Sequence, residues 1–257
     1  MHFFEMSRNE VEMSITERQK QILKLLREEG YLSVERLANL TYTSASSIRR
    51  DLKQLQMQSL IRRTHGGASL PGEINHPIPL TSRMTRNIAA KKKIAKKAAS
   101  LLKDGISVML DGSSTVGFLV PYMAGYKNVT VFTNNMQTAI SAIGYGLQTV
   151  CIGGTSVNHS AVLSGPTAYA TVESICPDIL FFSSQNIDLD GMISDPIEEE
   201  NHIRQRMLKN AKLTVFLCDS EKCGERSLYT LTNLSEIDIA VFDEIPKQLN
   251  VRGCQML

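Results

Sequence analysis

The segment from Thr16 to Leu70 constrains the fold most strongly, because residues that start helices divide it into short pieces. Thr16, Ser33 and Ser44 each carry a side-chain oxygen that can accept a hydrogen bond from the first turn of a helix. After each of them, apolar residues recur at helical spacing: Ile22, Leu25 and Leu26; then Val34, Leu37 and Leu40; then Ala45, Ile48, Leu52 and Leu55. The pattern predicts three short amphipathic helices around one small core, the first of them ending near Gly30.

The third predicted helix turns a polar, cationic face away from that core. Its outward, flanking and cap positions are Ser44, Ser46, Ser47, Arg49, Arg50 and Lys53. Arginine can bridge guanine edges or phosphates, and serines near a helix start can approach the DNA backbone closely. A short helix, a tight turn at Tyr42-Thr43 and a helix with such a face predict a helix-turn-helix.

A predicted β-ribbon follows the third helix. Leu60 to Arg63 has the pattern of a strand, Gly66-Gly67 that of a turn, and Ala68 to Leu70 that of a returning strand. Such a ribbon beside a helix-turn-helix is a wing, which would place Arg62, Arg63 and His65 near the DNA backbone or the minor groove. The alternative is a salt-bridged helical hairpin whose basic tip is accidental.

The charge distribution favours the DNA-binding interpretation. Between Ser14 and Leu70 there are ten Lys or Arg and five acidic residues, a net charge of +5 in a chain whose total is +2. A basic segment on a slightly acidic body indicates a polyanionic partner for that segment alone.

Two motifs in this region resemble the signature of the DeoR family of bacterial repressors. They are TSASSIRRDL, from Thr43 to Leu52, and LIRRTHGGA, from Leu60 to Ala68. The family typically has threonine where this chain has Ser47, and glycine where it has Ser59. The resemblance implies a winged helix-turn-helix that binds double-stranded operator DNA, over residues 1–70.

The rest of the chain has the pattern of one α/β domain. Three prolines occur in residues 71–79, and we predict a linker over residues 71–85. Beyond it, helical patterns alternate with apolar, β-rich runs: Ile106–Asp111, Val129–Thr133, Thr149–Ile152, Ile179–Ser183, Leu213–Cys218 and Ile237–Asp243. This alternation predicts a mostly parallel sheet covered by helices, over residues 86–257.

Polar and small residues collect where these predicted strands end, which is where open α/β sheets bind ligands. The candidates are Asp111, Ser113, Ser114, Thr115, Asn134, Gly153, Gly154 and Lys222. The Gly-Ser-Ser-Thr turn precedes a helix predicted to begin around Val116, so its amides and hydroxyls could hold a phosphate, with Lys222 supplying positive charge. The alternatives are plain helix caps, a tight glycine turn and a solvated lysine.

The resemblance to the DeoR family extends over this half. Matching segments are Lys91 with Ile94-Ala95, Asp111 to Thr115, Thr133-Asn134, Gly153-Gly154, Leu163 to Gly165, Glu200 with Met207, and Asp219 to Gly224. The resemblance implies a sensor domain similar to ribose-5-phosphate isomerase that binds a phosphorylated sugar, with Asp111, Asn134 and Glu200 placed to hydrogen-bond its hydroxyls.

The family pattern is not fully kept in this half. Ser113 stands where the phosphate loop usually has glycine, Val116 replaces a common threonine, and Cys223 replaces an aromatic residue. Residues 182–186 lack the glycines usual after that strand.

An enzyme is the main alternative function. An isomerase of this fold needs a general base, and Asp111, Asp195, Glu198, Glu199, Glu200 and Lys222 are candidates by residue type. Asp195 and Pro196, however, have the pattern of a helix N-cap and first helical residue, with Glu198 as capping-box partner. A catalytic body would also leave the DNA-binding segment without a purpose. We therefore expect a regulator and not an enzyme; a DNA-binding scaffold without a ligand is a third possibility.

Composition sets the remaining expectations. No apolar run is long enough to span a membrane, and the N-terminal residues do not form a secretory signal. Five cysteines without a Cys-x-x-Cys pair, and histidines that do not cluster with them, indicate reduced thiols in the cytoplasm and neither metal nor cofactor. Together with the resemblance to the DeoR family, which implies a repressor of sugar-metabolism genes that leaves its operator when a phosphorylated sugar binds, these features lead us to expect a cytoplasmic homodimer or homotetramer.

Overall fold

The chain divides into two compact units. The computed structural model describes residues 15–58, 60–64, 66–70 and 78–257. Most backbone contacts lie within Met1–Ile78 or within Pro79–Leu257, which are the first and second units.

The first unit contains the three predicted helices: α1 is Glu17–Glu29, α2 is Val34–Leu40 and α3 is Ala45–Met57. All three predicted caps are confirmed. Thr16 forms a capping box with Gln19, while the hydroxyls of Ser33 and Ser44 accept hydrogen bonds from backbone amides in the first turns of α2 and α3. Gly30 ends α1 with a positive φ of 73°. Because each cap is a local interaction, the sequence pattern located these helices closely.

A small antiparallel sheet completes the first unit. Its strands are β1 (Tyr31–Ser33), β2 (Arg62–Thr64) and β3 (Gly67–Ser69), with β3 in the middle. The ribbon of β2 and β3 is the predicted wing, whereas β1 was not predicted. A Cβ at Gly67 would lie 2.3 Å from the Leu32 carbonyl oxygen, so only glycine lets β3 approach β1 this closely.

The core of the first unit is formed by the predicted apolar faces. Ile22 and Leu26 of α1, Leu37 of α2, and Ile48 and Leu52 of α3 are all fully buried. Burial of this kind stabilises the unit by about 1.5–3 kcal/mol per large aliphatic side chain.

A seven-stranded, all-parallel sheet organises the second unit. The strands are β4 (Ser107–Leu110), β5 (Thr130–Thr133), β6 (Gln148–Cys151), β9 (Ile179–Phe182), β12 (Thr214–Cys218), β14 (Ile239–Phe242) and β15 (Gln255–Met256). Their order in the sheet is β15-β14-β12-β9-β4-β5-β6. The six predicted strands are confirmed to within two residues at each end, and β15 is additional.

Helices cover both faces of this sheet, as predicted. The helices of the second unit are α4 (Leu80–Thr85), α5 (Ile88–Ala98), α6 (Val120–Met123), α7 (Met136–Gly144), α8 (Pro166–Glu173) and α9 (Glu198–Asn210). Helices α5, α6 and α7 pack into the core on one face, and α8 and α9 into the core on the other. The small strands β7 (Thr155–Ser156) and β8 (Leu163–Ser164) form a hairpin, and β10 (Asn186–Ile187), β11 (Met192–Asp195) and β13 (Tyr229–Asn233) form a separate antiparallel sheet.

Part of the predicted linker, residues 71–85, is helical. Helix α4 occupies its second half, belongs to the second unit and buries Leu80. Residues 71–77 lie outside the described part of the chain. The prolines give no signal for the helix that begins directly after Pro79.

The helix predicted to begin around Val116 is short and irregular. Val116–Leu119 is a 3₁₀ turn, which continues into the four-residue α6 with Pro121 in its first turn. So short a helix contributes little dipole, so any phosphate affinity of the preceding loop must come from side chains and amides rather than from a helix terminus. No helix among the described residues is both long and apolar enough to cross a bilayer.

Candidate nucleic-acid interface and anion site

The outward face of α3 is polar and cationic, as the sequence predicted. Ser46, Arg49, Arg50 and Lys53 are exposed. Within the described ranges, no acidic side chain pairs with Arg50 or Lys53, while Arg49 lies 3.8 Å from the exposed carboxylate of Glu35. An exposed pair at this distance is weak, so all three cations remain available to an anionic partner.

The serines at the start of α3 bond to one another. The Ser44 hydroxyl accepts the backbone N–H of Ser47 at 3.3 Å, and it lies 3.0 Å from the hydroxyls of both Ser46 and Ser47. Ser44 is therefore occupied as a cap, whereas Ser46 is exposed, so its hydroxyl can contact a phosphate as well as Ser44.

An ion pair between the exposed Arg18 of α1 and the buried Asp51 of α3 joins the two helices. Arg18 donates two hydrogen bonds to the buried carboxylate of Asp51, at 2.5 and 3.1 Å, and this carboxylate raises the pKa of Arg18. Gln19 adds a hydrogen bond to Gln54 at 2.6 Å. The only acid on α3 is thus neutralised internally, which leaves the outer face positive. No local sequence pattern predicts this pair, because 33 residues separate its members.

The wing places a further cation near this helix in the fold of the first unit. Arg63 lies on β2 and is partly exposed. The Gly66 turn has a φ of 93°, as a tight ribbon requires, and its carbonyl accepts the N–H of Val34. His65 and the side chain of Arg62 lie outside the described residues, so their predicted contacts with DNA stay predictions.

In the second unit, the predicted ligand residues follow strands on both sides of a topological switch point. From β4 the chain runs outwards to β5 and β6, and later returns to build β9, β12 and β14 on the other side of β4. Ligands bind open α/β sheets where the strand order reverses in this way. The loops after β4 and β9 carry Asp111 to Thr115 and Ser183-Ser184, and the loop after β12 carries Asp219 to Lys222.

Two lysines converge on hydroxyl groups at this edge. Lys91, on α5, donates to the Ser114 hydroxyl at 3.1 Å and to the Arg83 carbonyl. Lys222 donates to the Ser183 hydroxyl at 3.0 Å and lies 3.5 Å from the Thr115 hydroxyl and from Asp219. Burial, followed by repulsion from Lys222, lowers the pKa of Lys91 to about 7. Burial makes the amine of Lys91 costly to protonate, so an anion that reaches it would stabilise its protonated form.

Polar atoms without partners lie in the same loops. Ser113 and Asn134 are almost fully buried, and within the described residues the Ser113 hydroxyl and the Asn134 side-chain oxygen have no hydrogen-bond partner. The amide of Asn134 meanwhile donates to the Leu163 carbonyl at 2.7 Å, which fixes its orientation. Unpaired buried polar atoms are costly, so these two are suited to contact a ligand. Serine at position 113 is also unstrained, because its φ is not positive.

A buried arginine joins the remaining predicted ligand residues. Arg204, on α9, donates to Asp111 at 2.7 Å, to Asp195 at 3.1 Å and to Glu200 at 2.5 Å. Burial alone would lower the pKa of Arg204, but the three carboxylates outweigh it and raise that pKa. Arg83 of α4 approaches the other oxygen of Glu200 at 3.2 Å. Asp111 and Glu200 therefore hold a fixed position at the base of the site.

Asp195 is not the predicted helix cap. Helix α9 begins at Glu198 with Ile197 as N-cap, and no side chain caps it. Asp195 instead ends β11, where it pairs with Arg204 and accepts a hydrogen bond from Ser184 at 3.3 Å. Burial raises the pKa of Asp195. The N-cap prediction failed because the local pattern gave no sign that Arg204 lies within reach.

Of the two glycines after β6, only Gly154 has a structural explanation. Gly153 and Gly154 are exposed at the end of the edge strand, two positions from β4 in the sheet. Gly154 has a φ of 131°, and a Cβ there would lie 2.4 Å from the Ser164 carbonyl oxygen. Their predicted part in ligand binding stays a prediction.

Lys91, Arg83 and Arg204 were not among the predicted ligand residues, yet two of them leave a signal in the sequence. Lys91 lies on the buried face of α5 with Ile94, Ala95 and Ala98, and Arg204 lies on the buried face of α9 beside Ile203 and Met207. A cation at an apolar-face position must have buried partners. Arg83 gives no such signal.

Another depression occurs on the surface of α8 and α9. It has a volume of about 400 Å³ and is lined by Glu173, His202, Gln205, Arg206, Lys209 and Asn210. Arg206 and Glu173 neutralise each other there at 3.0 Å. The strand-end site is the stronger candidate, because Lys91 is buried there and the buried oxygens of Ser113 and Asn134 lack partners among the described residues.

A cationic helix-turn-helix, joined in one chain to an α/β unit with a buried polar site at its strand ends, defines a class: regulators that bind DNA and sense a ligand. Comparison with known proteins identifies the family within that class. The DeoR-like helix-turn-helix domain matches residues 18–73, and the DeoR C terminal sensor domain matches residues 86–244. The chain belongs to the DeoR family of transcriptional regulators, which confirms the resemblance of its motifs.

Curated relatives match along nearly the whole chain. The HTH-type transcriptional regulator GolR of Listeria innocua is 30% identical over 88% of this chain and 90% of its own length. The HTH-type transcriptional repressor GlcR of Bacillus subtilis is 31% identical over 90% of each chain. The HTH-type transcriptional repressor CsqR of Escherichia coli is 27% identical over 91% of this chain and 92% of its own.

Solved structures give more distant matches. A D-ribose-5-phosphate isomerase in complex with phospho-erythronic acid aligns over 52% of each chain, with 13% identity and a TM-score of 0.40. The eIF2B beta of Chaetomium thermophilum aligns over 90% of this chain and 73% of its own, with 14% identity and a TM-score of 0.44. The family assignment rests on the sequence matches alone.

Proposed function

We propose that this regulator is a repressor of sugar-metabolism genes that leaves its operator when a small phosphorylated sugar binds its second unit. One observation carries the proposal: Lys91 and Lys222 approach the hydroxyls of adjacent residues, Ser114 and Thr115, at the switch point of a parallel sheet. Two ammonium groups facing one hydroxyl-rich loop suit a dianion such as a phosphate. A role as a repressor is supported by the name of a relative in Escherichia coli O157:H7, the putative aga operon transcriptional repressor.

The phosphate would be held by the loop after β4. Ser113, Ser114 and Thr115 supply hydroxyls and amides, and the two lysines supply charge. Hydroxyls of the sugar would then reach the free oxygen of Asn134 and the remaining lone pairs of Asp111 and Glu200. Asp111 already accepts hydrogen bonds from Arg204 and from the Ser113 backbone, and Glu200 accepts them from Arg83 and Arg204. Because these carboxylates are fixed, they would select sugars by the position of their hydroxyl groups.

The same contacts oppose an isomerase activity. A general base needs an available carboxylate, yet both oxygens of Glu200 are paired with arginines. Arg83 and Arg204 help to overcome the effect of burial and lower the pKa of Glu200, which makes it a poor proton acceptor at neutral pH. A binding site, rather than a catalytic one, fits this arrangement better.

The signal would leave the site through α4, the first helix of the second unit. Arg83 pairs with Glu200, and its carbonyl accepts a hydrogen bond from Lys91. An anion that draws Lys91 towards Ser114 would compete with this carbonyl. A ligand changes DNA affinity only to the extent that it binds the DNA-competent and DNA-free states unequally, and α4 is the element placed to distinguish them.

DNA would be bound in the cytoplasm by a homodimer or homotetramer. The exposed cations of α3 would enter the major groove, with those of the wing on the backbone. One short helix covers few base pairs, and two-fold proteins read half-sites about one helical turn apart.

The test is a gel-shift titration of operator DNA with a panel of sugar phosphates. Lys222→Ala and Ser114→Asp should bind operator like the wild type but should not release it, and Ser114→Asp should show the larger effect because its charge occupies the phosphate position. The exposed Lys103→Ala serves as the control. Release of both variants at the wild-type ligand concentration would contradict the assigned site. A thermal-shift screen without any hit would favour the scaffold, and turnover of a hit would favour the enzyme.

A further inference from the structure

One long stretch of the second unit carries no charge. Residues 128–172 contain no Asp, Glu, Lys or Arg, although 21% of the chain is charged. This stretch includes helix α7 and the edge strand β6, both of which have exposed side chains. An uncharged surface of this length needs a physical explanation, because surfaces of soluble proteins normally intersperse charges.

Helix α7 exposes an apolar stripe. Met136, Ile140 and Ile143, spaced four and three residues apart, are 40%, 70% and 63% exposed. The buried residues of α7 (Thr138, Ala139 and Ala142) pack onto the sheet. Two large exposed isoleucines on one short helix form a contiguous patch of the kind that marks an interaction surface.

Strand β6 extends this patch along the edge of the sheet. It pairs with β5 on one side and ends the strand order. Its residues, Gln148 to Cys151, include neither a charge nor a proline, and Val150 and Cys151 are exposed. Edge strands are normally protected by lysine, proline or a bulge, so an unprotected edge is suited to pairing with another chain.

We propose that the α7 stripe and the β6 edge form a two-fold interface with the same surface of a second copy of this chain. In a two-fold interface each surface meets itself, so a charge of either sign would face its own copy at close range. The absence of charge over residues 128–172 removes that repulsion. It also excludes DNA as the occupant of this surface, because DNA binding requires cations.

The interface rests on the oligomer proposed above and is independent of the DNA and ligand assignments. Light scattering of the full chain should give a dimer or a larger even-numbered assembly. Ile140→Lys/Ile143→Lys should weaken self-association by about 100-fold or more, because four lysines would be buried against each other. Leu228→Lys/Ile245→Lys adds the same charges at exposed apolar positions outside the uncharged stretch and should keep the wild-type mass.

Two native cysteines provide a second test that needs no variant. Cys151 on β6 and Cys176 are both exposed in the single chain. Burial raises the pKa of Cys151, so its rate of maleimide labelling is compared with that of Cys176 at protein concentrations above and below the dissociation midpoint. Only the Cys151 rate should increase on dilution, by about tenfold or more if its edge is covered in the assembly.

The outcomes separate the two proposals. A folded Ile140→Lys/Ile143→Lys variant that keeps the wild-type mass would overturn the interface and leave the oligomer intact. A wild-type monomer, both free and on operator DNA, would overturn both. If the variant does not fold, the labelling decides: a Cys151 rate unchanged by dilution of the oligomer overturns the interface, and an increase supports it.

Discussion

The two units place their cations in different environments, and the difference separates what the sequence shows from what it hides. In the first unit, Arg50 and Lys53 are exposed on a helix whose caps and apolar face are local patterns. In the second unit, Lys91 and Arg204 are 3% and 1% exposed, and their partners come from distant segments. Surface cations can act on a partner outside the chain, whereas the desolvation cost of a buried cation has to be offset by partners within the fold.

Replacing Arg204 should produce the largest effect. Arg204→Met would leave Asp111, Asp195 and Glu200 buried with only Arg83 to compensate them, and should lower the free energy of unfolding by about 3–5 kcal/mol. Urea unfolding followed by circular dichroism measures this. The exposed Lys209→Met on the same helix should stay within about 0.5 kcal/mol of the wild type.

Arg204→Lys refines the test. It keeps the charge but cannot reach three carboxylates at once, so its stability should fall between those of the wild type and Arg204→Met. If Arg204→Met lowers the free energy of unfolding by less than about 1 kcal/mol, the three carboxylates become neutral easily. The buried ion pairs of the second unit would then contribute as little to stability as exposed ion pairs do.

The second largest effect should come from α3. Arg50→Ala should weaken operator binding by about 1–3 kcal/mol and relax specificity at one base position, because an arginine in the major groove reads a guanine edge. Arg49→Ala/Arg50→Ala should also reduce the salt dependence of binding. Fluorescence anisotropy over a salt series measures both, with the exposed Arg27→Ala on α1 as the control. Neither variant should change stability by more than about 0.5 kcal/mol. An unchanged operator affinity in the double variant would reject the assignment.

The difference between the units explains which parts of the structure the sequence predicts and which it does not. Caps such as Ser44 and strands such as β4 depend on neighbouring residues, so the three helices of the first unit and the six strands were predicted closely. Arg204 binds Asp111 across 93 residues, and no local pattern records that distance. Asp195 was assigned to a cap for the same reason. A cation on an apolar helix face is the one local sign of such a cluster.

The helix after Thr115 shows a second limit. The Gly-Ser-Ser-Thr turn was predicted correctly as a loop after a strand, but its sequence did not distinguish a 3₁₀ turn from the start of an α-helix. Pro121, six residues after Thr115, lies in the first turn of α6 and helps to keep the α-helical part short. The positive charge expected from a helix dipole is therefore supplied by Lys91, which the sequence indicates only as a match to the family.

A smaller effect should appear as a pH dependence that Lys91 gives the second unit. The folded protein holds Lys91 with a pKa of about 7, against 10.5 in the unfolded chain. Between these values the unfolded chain binds more protons, so the stability contributed by this group rises with pH. Wild-type stability should therefore rise relative to Lys91→Met by about 1–2 kcal/mol between pH 6.5 and pH 9. Urea unfolding at both pH values, with the exposed Lys92→Met as the control, measures this. If the stabilities of the wild type and Lys91→Met change with pH in parallel, the lowered pKa of Lys91 is contradicted.

The smallest effect should come from Glu35, whose exposed pair with Arg49 is the counterpart of the buried pair between Glu200 and Arg204. Glu35→Gln removes a weak attraction at 3.8 Å, so it should change stability by less than about 0.5 kcal/mol. It also removes a negative charge beside the proposed DNA face and releases Arg49, so operator affinity should increase about two-fold at low salt and the gain should fade as salt is added. Glu28→Gln, on α1 and 3.9 Å from Lys24, is the matched control and should change neither quantity. If Glu35→Gln instead weakens binding, Glu35 accepts a hydrogen bond from a cytosine amino group and contributes to sequence recognition. An acidic side chain of α2 would then belong to the recognition surface along with the cations of α3.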